Sequence, residues 1–433
     1  MPRLRGINSG LRSLTVMIVR KVLACITAIV VAVVLFIAAP VVGFFSETTP
    51  WMRNPLAWQA VPASNTCQST PVAPQWQLAA DKACEMLIAH RASLHAPSLS
   101  AAIAIEGEVV WRAAVGWANL ADEQAATPAT LYRIGSTSKP VTGTLLARLV
   151  DTGVVDLDEP IASYDSALPN SEWDALTLRQ LASHMAGLPE YGTNRDLRGL
   201  YHSMALRQHH TDVREGLALF DGSPLRFAPG SDFEYSSFGT HLMAAVLQSA
   251  GDQSFHELIR QQVQQALGLS SPVPDQASPQ RARFYQQDGQ RVQLWRDVDL
   301  SSKLPGGGFM STPSDLALLG SAWLDPTFIS EATRKVFWTP QVLNTGEVNP
   351  QSYALTWRWN SRDRYAHHGG VSKGSMAWLA VYPDQALAVA LTMNTTIPDF
   401  ADFSSVQGEL VELFKKAAMN GAASDRQSGS AEN

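Results

Sequence analysis

Ile134-Gly135-Ser136-Thr137-Ser138-Lys139-Pro140 is the stretch on which the reading of this chain turns. It sets a serine and a lysine three residues apart. A serine hydroxyl is a weak nucleophile and needs a base beside it. On a helix, residues i and i+3 lie about 5–6 Å apart, so the Lys139 amine can reach the Ser136 oxygen. Pro140 suits the first turn of a helix that begins at Ser136 or Thr137. Such a helix start also puts positive potential where an oxyanion would form. Alone, the S-x-x-K spacing is weak evidence. A chain of this length contains it about once or twice by chance, and a surface helix start is the plainer reading.

Two further segments change that weight. In Pro229-Gly230-Ser231-Asp232-Phe233-Glu234-Tyr235-Ser236-Ser237-Phe238-Gly239, a tyrosine stands at the exit of a Pro-Gly loop, ahead of a helix through Leu242, Ala245 and Leu247. By itself Tyr235 reads as a half-buried packing residue. His367-His368-Gly369-Gly370-Val371-Ser372-Lys373-Gly374 stands at the head of a strand. Its small residues let a substrate backbone lie along the strand edge. By itself a His-His pair is an ordinary polar surface feature.

In this order and spacing the three segments resemble the penicillin-recognising serine hydrolases, which include class C β-lactamases, DD-peptidases, esterases and D-aminopeptidases. The family's signatures are S-x-x-K, Y-x-N or Y-x-S, and K-T-G or H-x-G. Here they read Ser136-Thr137-Ser138-Lys139, Tyr235-Ser236-Ser237 and His368-Gly369-Gly370. The resemblance covers about residues 75–418. It extends to Tyr132-Arg133-Ile134-Gly135, to Leu181–Pro189 and to Gly307–Leu316. The run Tyr235–Gly251 is most similar to the mitochondrial serine β-lactamase-like proteins and their bacterial relatives.

The resemblance implies roles. Ser136 would be the acylated nucleophile, with Lys139 and Tyr235 sharing the proton transfers. His368 would stand where the third motif puts a cation or hydrogen-bond donor. Ser237, Gly369, Gly370 and Val371 would contact substrate, and the N–H groups of Ser136 and Val371 would form the oxyanion hole. No cofactor and no metal are implied, and the partner is a small-molecule or peptide substrate. Two departures matter. Ser237 replaces the commoner Asn, and His368 replaces Lys, which weakens the fixed positive charge at neutral pH. Both lean away from an efficient β-lactamase and towards an esterase or peptidase. The alternative is a catalytically weak penicillin-binding or scaffolding protein on the same fold. A sensor of that kind would need a cytoplasmic output domain, and only residues 1–21 precede the apolar run described below.

Rival chemistries fare poorly. Gly370-Val371-Ser372-Lys373-Gly374 matches the G-x-S-x-G nucleophile elbow, but that elbow must open a helix and be followed by a histidine. A strand pattern follows instead, and no histidine occurs after His368. There is no H-E-x-x-H and no paired C-x-x-C for a metal. His209-His210 reads as a solvated pair.

Outward from the motifs, periodicity supplies the architecture. Trp76, Ala79, Ala83, Met86 and Leu87 recur at helical spacing. Ser98–Ile105 and Val109–Trp117 are β-prone, with a turn at Glu106-Gly107. Residues 130–345 are mostly helical. Within them Gly306-Gly307-Gly308 is a permissive loop that could let backbone approach a ligand, and Thr312-Pro313-Ser314-Asp315 is a helix start. Ser375–Tyr382 and Leu387–Met393 are strands, and Phe403, Val406, Leu410, Leu413 and Phe414 line a closing helix. The expected fold is α+β: an antiparallel sheet shared by N- and C-terminal strands, flanked by terminal helices, with a helical insertion as a second lobe. Residues 192–232 and 273–300 are the expected pocket walls. Met419–Asn433 is small and polar and reads as a disordered tail.

Val22–Phe45 carries no charge, and about 20 apolar residues suffice to span a bilayer. Arg3, Arg5, Arg12, Arg20 and Lys21 precede it, which predicts a cytoplasmic N-terminus and an exported, periplasmic catalytic region on a single-pass inner-membrane anchor. A cleaved signal peptide is the competing reading. Ser46–Pro74 reads as a Pro-rich linker. Cys25 falls within the span. Cys67 and Cys84 lie outside it, where an oxidising compartment permits a bond between them; two unpaired thiols are the alternative. The whole chain has 433 residues, 33 Lys and Arg, and 39 Asp and Glu. Without the five N-terminal cations, 28 positive charges face 39 negative, a net −11. That balance argues against nucleic acid as a partner. No feature indicates an oligomeric state.

Overall fold

The computed structural model describes residues 4–49, 52 and 54–429; Arg3, Pro50 and residues 430–433 of the expected tail lie outside the described residues. Strands from both ends of the catalytic region meet in one antiparallel sheet. In chain order these are β1 (Cys67–Ser69), β2 (Ser98–Ile105), β3 (Glu108–Asn119), β4 (Arg358–Asn360), β5 (Tyr365–Ser372), β6 (Ser375–Tyr382) and β7 (Leu387–Met393). Their spatial order is β4-β5-β6-β7-β2-β3-β1, with Gln124–Ala125 added against β3. The β2–β3 turn puts both Glu106 and Gly107 at positive φ, 51° and 86°. That pair of conformations matches the twist of the flanking strands. The N- and C-terminal segments join where β7 lies on β2, from Leu387 opposite Ile105 to Met393 opposite Leu99.

The described helices that matter for the site are α1 (Leu4–Thr48), α2 (Gln77–Ser93), α3 (Ser138–Asp151), α4 (Ser237–Ala250), α5 (Pro313–Ala322) and α6 (Val406–Gly429). Side chains alternate across a strand, so each face of the sheet builds its own core. Leu99, Ala101 and Ile103 pack with Leu87 of α2 and Leu410 and Phe414 of α6. Ala102 and Ala104 join the other core, with Leu145, Leu242 and Leu316 from the helical lobe. That lobe-facing side is rich in alanine because α5 lies close. A Cβ at Gly320 would stand 2.9 Å from Val381 and 3.0 Å from Leu379.

Three expectations need amendment. The linker is not merely extended: β1 joins the sheet, Gln59–Ala60 pairs with Arg291–Leu294, and the Arg91 guanidinium donates to Pro62 O at 2.7 Å. Cys67 of β1 and Cys84 of α2 are joined as the expected disulfide, with Cα atoms 5.7 Å apart. The closing helix runs on to Gly429, into the stretch read as a disordered tail. His368 lies inside β5 rather than at its head, because β5 begins at Tyr365.

The N-terminal segment is a helix of its own. Val16–Glu47 within α1 is long and apolar enough to cross a membrane, and most of its large apolar side chains are exposed. Pro40 is accommodated within it.

Candidate active site

The Ser136 turn is built by strand contacts on both sides. Ile134 N–H donates to Phe309 O at 3.0 Å, and Gly135–Thr137 forms a 3-10 turn leading into α3. Gly135 sits at φ +51°, and a Cβ there would lie 2.5–2.7 Å from Val371 backbone atoms. Only glycine fits both demands. The turn therefore lies directly against the Val371 segment of β5. From Tyr132 to Ala147, every residue except Ser136 is buried. The chain thus exposes one hydroxyl at the end of an otherwise internal helix.

Lys139 is fully buried. Its Nζ donates to Ser136 Oγ at 3.3 Å, to Ser237 Oγ at 3.1 Å and to Gly306 O at 2.9 Å. Three oxygens thus surround the buried amine. Gly306 and Gly308 consequently serve the protein's own packing. Gly306 supplies a carbonyl to Lys139, and a Cβ on Gly308 would lie 2.4 Å from Leu300 O.

Tyr235 is half-buried, with its ring centre 4.6 Å from Lys139 Nζ. Lys139 therefore lies over the ring face. Ser236 caps α4 through its side chain to Gly239 N–H, which fixes Tyr235 just before the helix and Ser237 at its first residue. The Ser237 N–H donates to the Glu190 carboxylate.

His368 departs from its expected part. Gly369 O can only accept, so His368 Nδ1 carries the hydrogen of their 2.7 Å bond. Nε2 then accepts from the Tyr353 hydroxyl at 2.9 Å. Burial, and then the charges of Lys139 and Arg358, hold its pKa well below the usual histidine value. It is a neutral imidazole with both nitrogens engaged, not a cation facing the cleft. Gly369 and Gly370 also serve the protein's own packing. A Cβ at Gly370 would meet Ile134 O at 1.9 Å, and one at Gly369 would meet the Phe400 ring at 2.6 Å. Their missing side chains make room for the protein's own atoms. Ser372 ends β5 and is followed by Lys373-Gly374 and another strand, which rejects the nucleophile-elbow reading.

Several residues at the site were not singled out by the motifs. His184 lies in Leu181–Pro189 at φ +62°, with its ring 4.3 Å from Tyr235 and 4.5 Å from Tyr353. Ser236 N–H donates to its Nδ1, so its buried Nε2–H is left without a partner among the described residues. Burial and Lys139 keep it neutral. Lys303 lies 3.8 Å over the Tyr191 ring. Burial first, then Lys373, push its pKa down to about 8. Arg133 makes a buried ion pair with Asp275 at 2.6 Å and also donates to Lys373 O at 2.7 Å. It thereby ties the strand ahead of Ser136 to the β5–β6 turn. Residues around Ser136 and Lys139 thus come also from 184–191, 303–306 and 353–358.

Comparison with known proteins gives the family. Residues 85–407 match the family described as Beta-lactamase. The human serine beta-lactamase-like protein LACTB, mitochondrial, is 26% identical over 397 residues, covering 70% of this chain and 71% of its own. Esterase EstB of Burkholderia gladioli is 30% identical over 219 residues, 48% of this chain and 54% of its own. Among solved structures, the octameric penicillin-binding protein homologue from Pyrococcus abyssi superposes with TM-score 0.61 at 20% identity, covering 76% of this chain and 77% of its own. The fold and site define a serine hydrolase of the β-lactamase and penicillin-binding-protein type. The chain belongs to the beta-lactamase family.

Proposed function

We propose that this chain is a membrane-anchored, exported hydrolase that turns over an ester or a peptide amide through an acyl-enzyme on Ser136. The observation that carries the reading is the contact of the buried Lys139 Nζ with the one exposed hydroxyl of the turn, at 3.3 Å. Ser136 Oγ attacks the substrate carbonyl while its proton passes to the Lys139–Tyr235 pair. The N–H groups of Ser136 and Val371 hold the resulting oxyanion. Collapse expels the alcohol or amine, which takes that proton back. Water then attacks the ester carbonyl on Ser136 by the same route, releasing the acid and restoring the hydroxyl.

The neutral His368 supports ester or peptide turnover over efficient β-lactam hydrolysis, since no third-motif cation stands in its place. The apolar Val16–Glu47 helix supports anchoring, with the N-terminus inside and the catalytic region outside. Intact-protein mass spectrometry after brief exposure to activated esters, D-amino-acid amides and β-lactams tests the chemistry. A transient mass gain equal to the acyl group, from an ester or amide, is expected. Persistent adducts from β-lactams alone would favour the weak penicillin-binding alternative. N-terminal sequencing of protein from native membranes tests the anchor, and a mature start beyond Phe45 would show a cleaved signal.

A further inference from the structure

His184 stands where a helix end ordinarily has glycine. The short helix Leu178–Ala182 closes in a Schellman motif: His184 N–H donates to Leu181 O at 3.4 Å and Met185 N–H to Gln180 O at 2.9 Å. The left-handed residue of that motif is usually Gly and sometimes Asn. Here it is a buried histidine at φ +62°. A second cost falls on the same side chain, because its buried Nε2–H has no partner among the described residues. A left-handed backbone on a bulky residue and a bare buried donor both work against stability. Stability alone therefore does not explain the histidine.

The same residue brackets Tyr235. Glu234 N–H donates to His184 O at 3.1 Å, and Ser236 N–H donates to His184 Nδ1 at 3.2 Å. One residue thus holds the chain on either side of the tyrosine. Its ring lies 4.3 Å from the Tyr235 ring, centre to centre, with 45° between the planes. Lys139 Nζ lies 4.6 Å from the centre of that same tyrosine ring. Tyr353 at 4.5 Å and Phe233 at 6.0 Å also crowd the imidazole, which leaves it little room to turn. The loop beyond His184 adds to the grip: Gly230 N–H donates to Met185 O at 2.8 Å, and Ser236 Oγ donates to Pro189 O at 2.5 Å. The bond to Nδ1 needs a lone pair, which a neutral imidazole offers and an imidazolium does not. Burial first, then Lys139 and Arg358, hold His184 well below the usual histidine pKa, so the lone pair is kept.

We propose that His184 is the positioning residue of Tyr235, holding the phenol against Lys139 through the Ser236 N–H and the ring contact. It acts through the tyrosine and moves no proton itself. The inference rests on the Ser136 acyl-enzyme reading, in which Tyr235 and Lys139 share the proton transfers, and adds the part that keeps the pair in register. Two substitutions separate this role from a merely structural one. Glycine satisfies the helix end but offers Ser236 nothing. Asparagine also suits the left-handed position, and its Oδ1 stands where the imidazole has Nδ1, so it can accept the Ser236 N–H.

The test uses the full chain in detergent, 4-nitrophenyl butyrate as the probe, and urea unfolding to establish which variants fold. His184→Gly should lower kcat by about 10-fold or more and leave KM within about 3-fold, as expected when a proton-transfer group is misplaced but substrate still binds. His184→Asn should keep kcat within about 3-fold of the wild type, since the acceptor is retained. In the Tyr235→Phe background, where the hydroxyl is already gone, His184→Gly should cost less than about 2-fold in kcat, because a unit already disabled is not disabled twice. Near-full activity of a folded His184→Gly, an equal loss in both backgrounds, a change in KM alone, or a fall with His184→Asn beyond about 3-fold overturns the proposal while the acyl-enzyme reading stands. If His184→Gly does not fold, the kcat of His184→Asn decides by the same limit. Absence of Ser136-dependent turnover in the wild type would instead refute the acyl-enzyme reading beneath it.

Discussion

Adding one methyl group at Gly370 should disable the enzyme, while adding the same group at Gly369 should not. The two glycines are neighbours in β5 but face opposite sides of the sheet. At Gly370 the new Cβ would lie 1.9 Å from Ile134 O and 2.7 Å from Thr137 N. Both are backbone atoms of the Ser136 turn, so the strand and the turn must separate by more than 1 Å. Overpacking costs about 1–3 kcal/mol. The larger effect falls on the oxyanion pocket, because the Ser136 and Val371 N–H groups sit on the two parts being separated. A misplacement of about 1 Å costs on the order of 10²-fold in rate. At Gly369 the clash is with the ring end of Phe400, a half-exposed side chain that can swing aside. Gly370→Ala should therefore lower kcat/KM for an activated ester by about 10²-fold, and Gly369→Ala by less than about 10-fold. The assay is stopped-flow hydrolysis of a 4-nitrophenyl ester, with urea unfolding to establish that both variants fold. Near-full activity in a folded Gly370→Ala would refute the claim that this contact sets the oxyanion geometry.

Other outcomes follow from the same contacts. Tyr235→Phe and Lys139→Met should each lower kcat by about 10²-fold or more, and the double variant should cost little beyond the worse single one, as expected for one proton-transfer unit; multiplying losses would show independent action. Asp275→Asn strands the buried Arg133 charge and should cost about 3–5 kcal/mol in urea unfolding. Stability should rise with pH between about 4 and 6.5. His367, buried and stacked on Trp378, is pushed down to about 4 in the folded state, whereas the unfolded chain takes up protons from 6.5 downward. The urea midpoint should rise with pH across that window, and His367→Phe should flatten the slope.

The motifs were legible because each is local. Ser136 and Lys139 share one helix turn, and Tyr235 precedes a helix whose periodicity is plain. The sheet was legible in its β-prone segments, since β2, β6 and β7 are long, apolar and bounded by turn residues. What stayed hidden depends on long-range contact. Gly306 reaches Lys139 across 167 positions, and nothing in a glycine run says which amine its carbonyl will meet. Tyr353 gave no local signal, yet it decides the state of His368 by occupying Nε2. The glycines of the third motif also make room for Ile134 and Phe400, a need that only the folded packing creates. Short strands such as Cys67–Ser69 form because a neighbour offers an edge, so a Pro-rich segment concealed them.

Site mapping of a covalent label tests the central claim most directly. After reaction with a serine-directed fluorophosphonate, proteolysis and tandem mass spectrometry should place the adduct on Ser136, and Ser136→Ala should take up none while unfolding normally in urea. An adduct on another serine, or labelling that persists in Ser136→Ala, would contradict the account.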